Sequence, residues 1–265
     1  MDYNTAHSIL YNKLEDTEDD RIDRMFANLK PKDKDSRKWN DQIKFWSRII
    51  KTWGKETDII EFSVDSLSQS LNYNGLIPQI KPTIDYLVSI GVLKTREDIT
   101  TNKSFFGSLS SKLFGFIWSS DSQNQDKYVF VDNLKNKINS IISEVENDAV
   151  YSSDIVLTLK ELESRFRDDK KYPFDLILAQ LDRDKRVKRY SGGYYFNVGN
   201  FSELNFSDEV IQSIIQTKEN IAHLEEKINT VEKQIDHDLN CAKSFKKQNR
   251  VKEAKSSLVH KKMLE

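Results

Sequence analysis

The chain has one cysteine, Cys241, so no internal disulfide can form, and its four scattered histidines give no Cys/His zinc framework. Four prolines and eight glycines are too few for a collagen-like or Pro/Gly-rich disordered chain. No segment reaches the ~20 consecutive apolar residues of a transmembrane helix. Met1–Asp20 is acidic and lacks the apolar centre of a signal peptide. These absences predict a soluble or membrane-peripheral protein, and the cysteine content is compatible with a reducing compartment. Only 37% of the 265 residues are hydrophobic, so one large core is not expected. At roughly 100–200 residues per domain, the length suggests one large or two small domains.

A strong net charge is absent as well, with 41 Lys+Arg against 42 Asp+Glu. The balance conceals segregation. The first twenty residues carry six acids and one Lys, residues 103–119 two Lys and no acid, and residues 240–264 eight Lys/Arg against Glu253 alone. Local fields therefore matter more than the total.

Residues 1–38 read as a polar lead with helical fragments near Ile9–Leu14 and Ile22–Leu29. Trp39, Ile43, Trp46, Ile49, Ile50 and Trp53 then recur at helical spacing, with Gly54 placed to stop the helix. Helices over Val64–Leu71 and Ile77–Ile90 follow. A short strand at Val92–Lys94 is answered only at Tyr128–Val131. Three helices and a hairpin make a winged helix, here residues 39–132, with a wing insert at 100–126. A helix with Leu134, Ile138, Ile141, Ile142 and Val145 on one stripe connects (133–150) to a second, compact winged helix at 151–200. Its hairpin turns at Ser191-Gly192-Gly193. From Ser207 the pattern becomes a heptad seam, with Ile214, Ile221, Ile228 and Ile235 alternating with Val210, Thr217, Leu224 and Val231. Gln248-Asn249 breaks that helix and a basic second one begins. The fold class is mainly α with small β hairpins (α+β): two winged helices, then a long helix opening a helical hairpin (207–265).

Three stretches carry a family resemblance. Trp39-Asn-Asp-Gln-Ile-Lys-Phe45-Trp46 is similar to the opening of winged helices in the membrane-remodelling ESCRT machinery. Leu159-Lys-Glu-Leu162, Leu176-Ile-Leu178-Ala-Gln-Leu181 and Asp184-Lys-Arg-Val187 resemble the second winged helix of the charged multivesicular body protein 7 family. Leu224-Glu-Glu-Lys, Glu232-Lys-Gln-Ile235-Asp-His-Asp-Leu239 and Lys252-Glu-Ala-Lys through Lys261-Lys262 resemble the start of an ESCRT-III subunit. Their order, an ESCRT-II-like tandem winged helix fused to an ESCRT-III region, is the architecture of that family.

The resemblance implies a peripheral adaptor that nucleates or recruits ESCRT-III polymers at the endoplasmic reticulum and nuclear envelope, for membrane sealing and quality control. It implies ESCRT-III subunits and an inner-nuclear-membrane LEM-domain protein as partners. It also implies that this chain is an N-terminal fragment, followed in the family by further helices and an acidic tail.

The wing insert carries the first candidate site. At 100° per residue, Phe105, Phe106, Leu109, Leu113, Phe116 and Ile117 share an arc that Phe114 and Trp118 extend, while serines, glycine and Lys112 fill the remainder. An aromatic face opposite a nearly uncharged one predicts membrane binding driven by inserted apolar area. The alternatives are a protein-binding helix or docking onto the first domain. The second candidate is a basic surface for lipid or an acidic partner: Lys243, Lys246, Lys247, Arg250, Lys252, Lys255, Lys261 and Lys262. The heptad helix predicts a hairpin seam, with self-association as the alternative.

Two function classes lack support. The third helix of the first winged helix offers only Lys81 beside Asp85, and the basic residues of the second are offset by Asp175, Asp182 and Asp184, so no sequence-specific nucleic-acid binding is expected. No nucleophile elbow, phosphate loop or metal spacing occurs, so neither an enzyme nor a cofactor is expected. A soluble winged-helix interaction scaffold without lipid contact is the rival reading.

Overall fold

A computed structural model describes residues 3–14, 19–29, 33–100, 127–166, 172–199 and 206–265. Its first unit is built on α3 (Ser36–Thr57), whose N-terminus is capped by Asp35 accepting from the Lys38 amide at 3.0 Å. The periodic Ile and Trp residues of α3 are buried, apart from half-buried Trp39. Gly54 lies inside this helix and does not stop it; Asp58, in the left-handed conformation, ends it. The glycine has a packing reason instead, because the Phe130 ring lies where a Cβ would go.

The acidic lead belongs to this unit. Helix α1 (Tyr3–Leu14) buries Ala6, Leu10 and Leu14 against α3 and α4 (Val64–Ser70), and Tyr3 stacks on Trp53 at 5.6 Å. Helix α2 (Asp19–Phe26) ends under α3, where Gln42 Nε2 donates to the Arg24 and Ala27 carbonyls and Trp46 Nε1 donates to Met25 O at 3.1 Å. These side chains supply donors for terminal carbonyls that the helix itself cannot satisfy.

The unit continues with β1 (Glu61–Ser63), α4, α5 (Lys81–Ser89), β2 (Leu93–Thr95), the five-residue α6 (Arg96–Thr100) and β3 (Lys127–Phe130). The second unit repeats the plan with α7 (Val131–Asp148), β4 (Val156–Thr158), α8 (Leu159–Phe166), α9 (Phe174–Arg183), β5 (Val187–Tyr190) and β6 (Gly193–Phe196). The helix read as a connector therefore stands where α3 stands in the first unit: α3 packs on α5, and α7 on α9. Each unit carries a three-stranded antiparallel sheet rather than a bare hairpin, in orders β1-β3-β2 and β4-β6-β5. The strands β1 and β4, three residues each, were not anticipated from the sequence.

The period of two in these strands explains how the layers stack. In β3, Tyr128 and Phe130 face the first core while Val129 faces the second; Phe62 of β1, paired with Tyr128, faces the first core, and Ile60, just before β1, sits in the second. The second core holds Leu134, Ile138, Leu176, Ile177 and Phe196 together with Ile60, Ile99 and Val129 from the first unit. Across the second sheet the pattern recurs: Leu157 faces the second core, and Val156 meets Ile211 and Ile215 at the start of α10 (Asp208–Lys247). Each sheet is thus covered on both faces, and the two winged helices and the first turns of α10 form one continuous stack. Hiding one Ile or Leu is worth about 1.5–3 kcal/mol, so these shared faces are not incidental contacts.

Beyond that dock α10 runs free. At 40 residues and ~1.5 Å per residue it is about 60 Å long, and α11 (Val251–Leu264) folds back along its distal part.

Candidate functional site

Helix α6 is the last described element before residues 101–126, and β3 is the first after them. Phe105, Phe106, Leu109, Leu113, Phe114, Phe116, Ile117 and Trp118 lie outside the described residues. The residues on either side of this segment are described. Ile99, one residue before the end of α6, is buried in the second core. Arg96, at the start of α6, bridges Glu61 of β1 and Asp175 of α9. Burial alone would favour the neutral guanidine, but Asp175 and Glu61 outweigh it and raise the Arg96 pKa. Arg183, at the other end of α9, donates to the carbonyls of Asp98 and Ile99, the latter at 3.1 Å.

The basic surface is formed by the α10–α11 hairpin. Its turn is closed by the Arg250 amide donating to Phe245 O at 2.9 Å, with Asn249 in the left-handed conformation. Ala242 and Ala254 are its buried residues, since side chains this small let two helices approach closely. His260 Nδ1 meets Asp238 Oδ2 at 2.6 Å across the hairpin. Lys243, Lys246, Lys247, Arg250, Lys252, Lys255 and Lys262 are exposed around this tip, and Lys261 is half-buried. Arg250 pairs with Glu253 at 2.9 Å and Lys261 with Glu265. The other six have no ion-pair partner among the described residues. The fold therefore gathers the predicted basic residues on one helical hairpin, six of the eight without an ion-pair partner among the described residues.

The seam is partly covered. Ile221, Leu224 and Ile228 remain 50%, 57% and 57% exposed, whereas Val231 and Ile235, nearer the hairpin, are half-buried.

Among the described residues, the helix in the recognition position of each winged helix is packed or weakly charged. In the second, α9 occupies the recognition position, but it packs against α6 and α7. Its wing is occupied by α10: Lys188 and Tyr190 both donate to Asp208 Oδ1, at 2.7 and 2.8 Å, and Gln212 donates to Ser191 O at 3.1 Å. These two hydrogen bonds, led by Lys188, hold the Asp208 carboxyl below the usual carboxylate range. Lys218 reaches back to Val156 O at 2.7 Å and to Glu161 at 3.3 Å. In the first winged helix, α5 exposes Tyr86 and carries the Lys81–Asp85 pair, with Ile90 exposed at its C-cap; this surface lacks the basic character DNA requires. Among the described residues no group of three or more His, Cys, Asp or Glu could hold a metal, and no helix is long and apolar enough to cross a membrane.

Sequence reasoning did not single out Arg96 or Asp208, and it weighed Arg183 only as part of a basic patch near the second wing. Arg96 and Asp175 are 79 residues apart, and no spacing pattern announces such a pair. Comparison with known proteins agrees with the fold. Residues 11–95 match the family model described as the CHMP7 N-terminal winged helix domain. The match takes in the end of α1 and stops at the last residue of β2. No curated protein and no solved structure matches the chain.

Proposed function

We propose that this chain, whose residues 11–95 are similar to the CHMP7 N-terminal winged helix domain, is a membrane-recruited adaptor that gathers ESCRT-III subunits. The likeness of residues 11–95 to that domain supports an ESCRT-III-related role. The observation that carries the finer reading is the order of parts: a CHMP7-type winged helix, a second winged helix fused to it through a shared core, and a basic-tipped helical hairpin fixed to the second. The segment with Phe105, Phe106, Leu109, Leu113, Phe114, Phe116, Ile117 and Trp118 supplies the membrane contact. It interrupts the first wing between α6 and β3, where a long insertion leaves the sheet register intact. Four buried aromatic side chains at ~25 cal/mol/Å² would contribute several kcal/mol before ordering costs, enough for reversible attachment. Six unneutralised lysines at the hairpin tip add attraction to anionic lipid or to an acidic helix of a partner.

The site of action in this reading is the endoplasmic reticulum and nuclear envelope, with a LEM-domain protein of the inner nuclear membrane as a second partner. No catalytic step is assigned. Vesicle flotation of the wild type against Phe116→Asp/Trp118→Asp tests the membrane half. The double variant is expected to remain in the soluble fraction with its fold intact, and equal flotation of the two proteins would refute the assignment.

A further inference from the structure

Chain order puts residues 101–126 in the wing of the first winged helix, yet α6, the last described element before them, is also held by the second. Helix α6 spans five residues, too short to be stable alone. Its own unit contributes Glu61, buried in β1, as one partner of Arg96. Its own unit also caps its start, where the Asp98 amide donates to Thr95 Oγ1 at 3.1 Å, and the contacts nearer its end belong to the next unit. Asp175 takes the other side of the Arg96 guanidinium. The Arg183 side chain donates to the Asp98 and Ile99 carbonyls of α6. Ile99 is buried with the residues of α7 and α9. Helix α9, which would read a major groove in a nucleic-acid-binding relative of this fold, is turned inward and serves as the cradle for α6.

We infer that the second winged helix, through Arg183 and Asp175 of α9, fixes α6, the element from which the chain continues into residues 101–126, with Arg96 as the residue shared between the two units. This rests on the proposed membrane role of those residues and adds a determinant to it. Arg183 and Asp175 are positioning residues that act through α6. The two units remain joined elsewhere, since Ile60 and Val129 sit in the second core and the Tyr172 hydroxyl donates to Asp58 at 2.8 Å. Loss of the α9 clamp should therefore release α6 without separating the winged helices.

The test uses the full chain in a Cys241→Ser background, with nitroxide pairs placed by cysteine substitution of exposed residues. One pair, at positions 97 and 185, reports α6 against the second unit. The other, at 65 and 185, reports the first unit against the second. Asp175→Asn with Arg183→Ala is expected to abolish the single narrow distance distribution of the first pair and to leave that of the second unchanged. Flotation on phosphatidylcholine–phosphatidylserine vesicles should fall in the same variant. A narrow 97–185 distribution in the variant would overturn the inference, as would full flotation despite a released α6. If the wild type fails to float, the membrane reading fails, and the spin-label result still decides what holds α6. Asp175→Asn alone, which keeps size and folding, should give a smaller broadening of the same sign; no broadening would count against the shared guanidinium.

Discussion

Gly54→Ala sets two effects of known size against each other. Position 54 lies in the last turns of α3, where helix propensity favours Ala over Gly by about 0.8–1.0 kcal/mol. An added Cβ would meet Phe130 Cζ, Cε1 and Cε2 at 2.5, 2.7 and 2.8 Å. The ring cannot step aside freely, because it lies 6.0 Å from Trp53 and 5.2 Å from Phe62 in a buried aromatic cluster. Its backbone is fixed too, since the Phe130 amide donates to Ile60 O at 2.9 Å. Overpacking costs about 1–3 kcal/mol, and so close an approach to a boxed-in ring belongs in the upper part of that range, so sterics win with a net loss of about 1–2 kcal/mol. For a unit of about 150–250 residues that corresponds to a fall in Tm of about 2–8 °C. A thermal melt followed by near-UV circular dichroism measures it directly. A rise in Tm would show that helix propensity prevails and that Phe130 does not press on Gly54 as described.

Leu10→Ala should destabilise the first winged helix by about 3 kcal/mol, the ordinary cost of truncating a fully buried leucine, although the residue lies in the acidic lead; an unchanged denaturant midpoint would mean that α1 is not part of the core. The docking of α10 on the second wing should persist through neutral pH and weaken only in strong acid. The Asp208 carboxyl lies below its usual range when docked, so its contribution is present above the ordinary carboxylate value and is lost as pH falls through the lowered one. Asp208→Asn should remove that acid dependence of limited proteolysis at the α10 junction. Raising salt should weaken vesicle binding through Lys246, Lys247 and Lys252 while sparing the aromatic contribution, and a salt-independent affinity in a variant lacking residues 103–120 would contradict the basic-tip assignment.

What the sequence disclosed depended on the range of the signal. Helices with long apolar periods, such as the one through Ile43, Trp46, Ile50 and Trp53, declare themselves because each turn repeats the evidence. The Ser191-Gly192-Gly193 hairpin is equally legible, since Gly192 adopts the positive φ that a tight turn requires. Strands β1 and β4, at three residues each, complete barely one alternation and leave no period to read. The acidic lead looked polar because its buried set is small and spaced out, Ala6, Leu10 and Leu14 among exposed neighbours. The basic tip was visible as composition, although its gathering around one turn needed the fold of the hairpin. The clamp on α6 was not legible at all, because Arg96, Asp175 and Arg183 become neighbours only when two units that are distant in the chain pack together.

The adaptor reading meets its most direct test in a recruitment measurement. A purified ESCRT-III subunit that does not bind vesicles by itself is mixed with phosphatidylcholine–phosphatidylserine vesicles in the presence or absence of this chain, and the floated fraction is assayed. The account predicts that the subunit floats only when the chain is present, and that Phe116→Asp/Trp118→Asp abolishes its flotation. A chain that reaches the vesicles and leaves the subunit behind would contradict it.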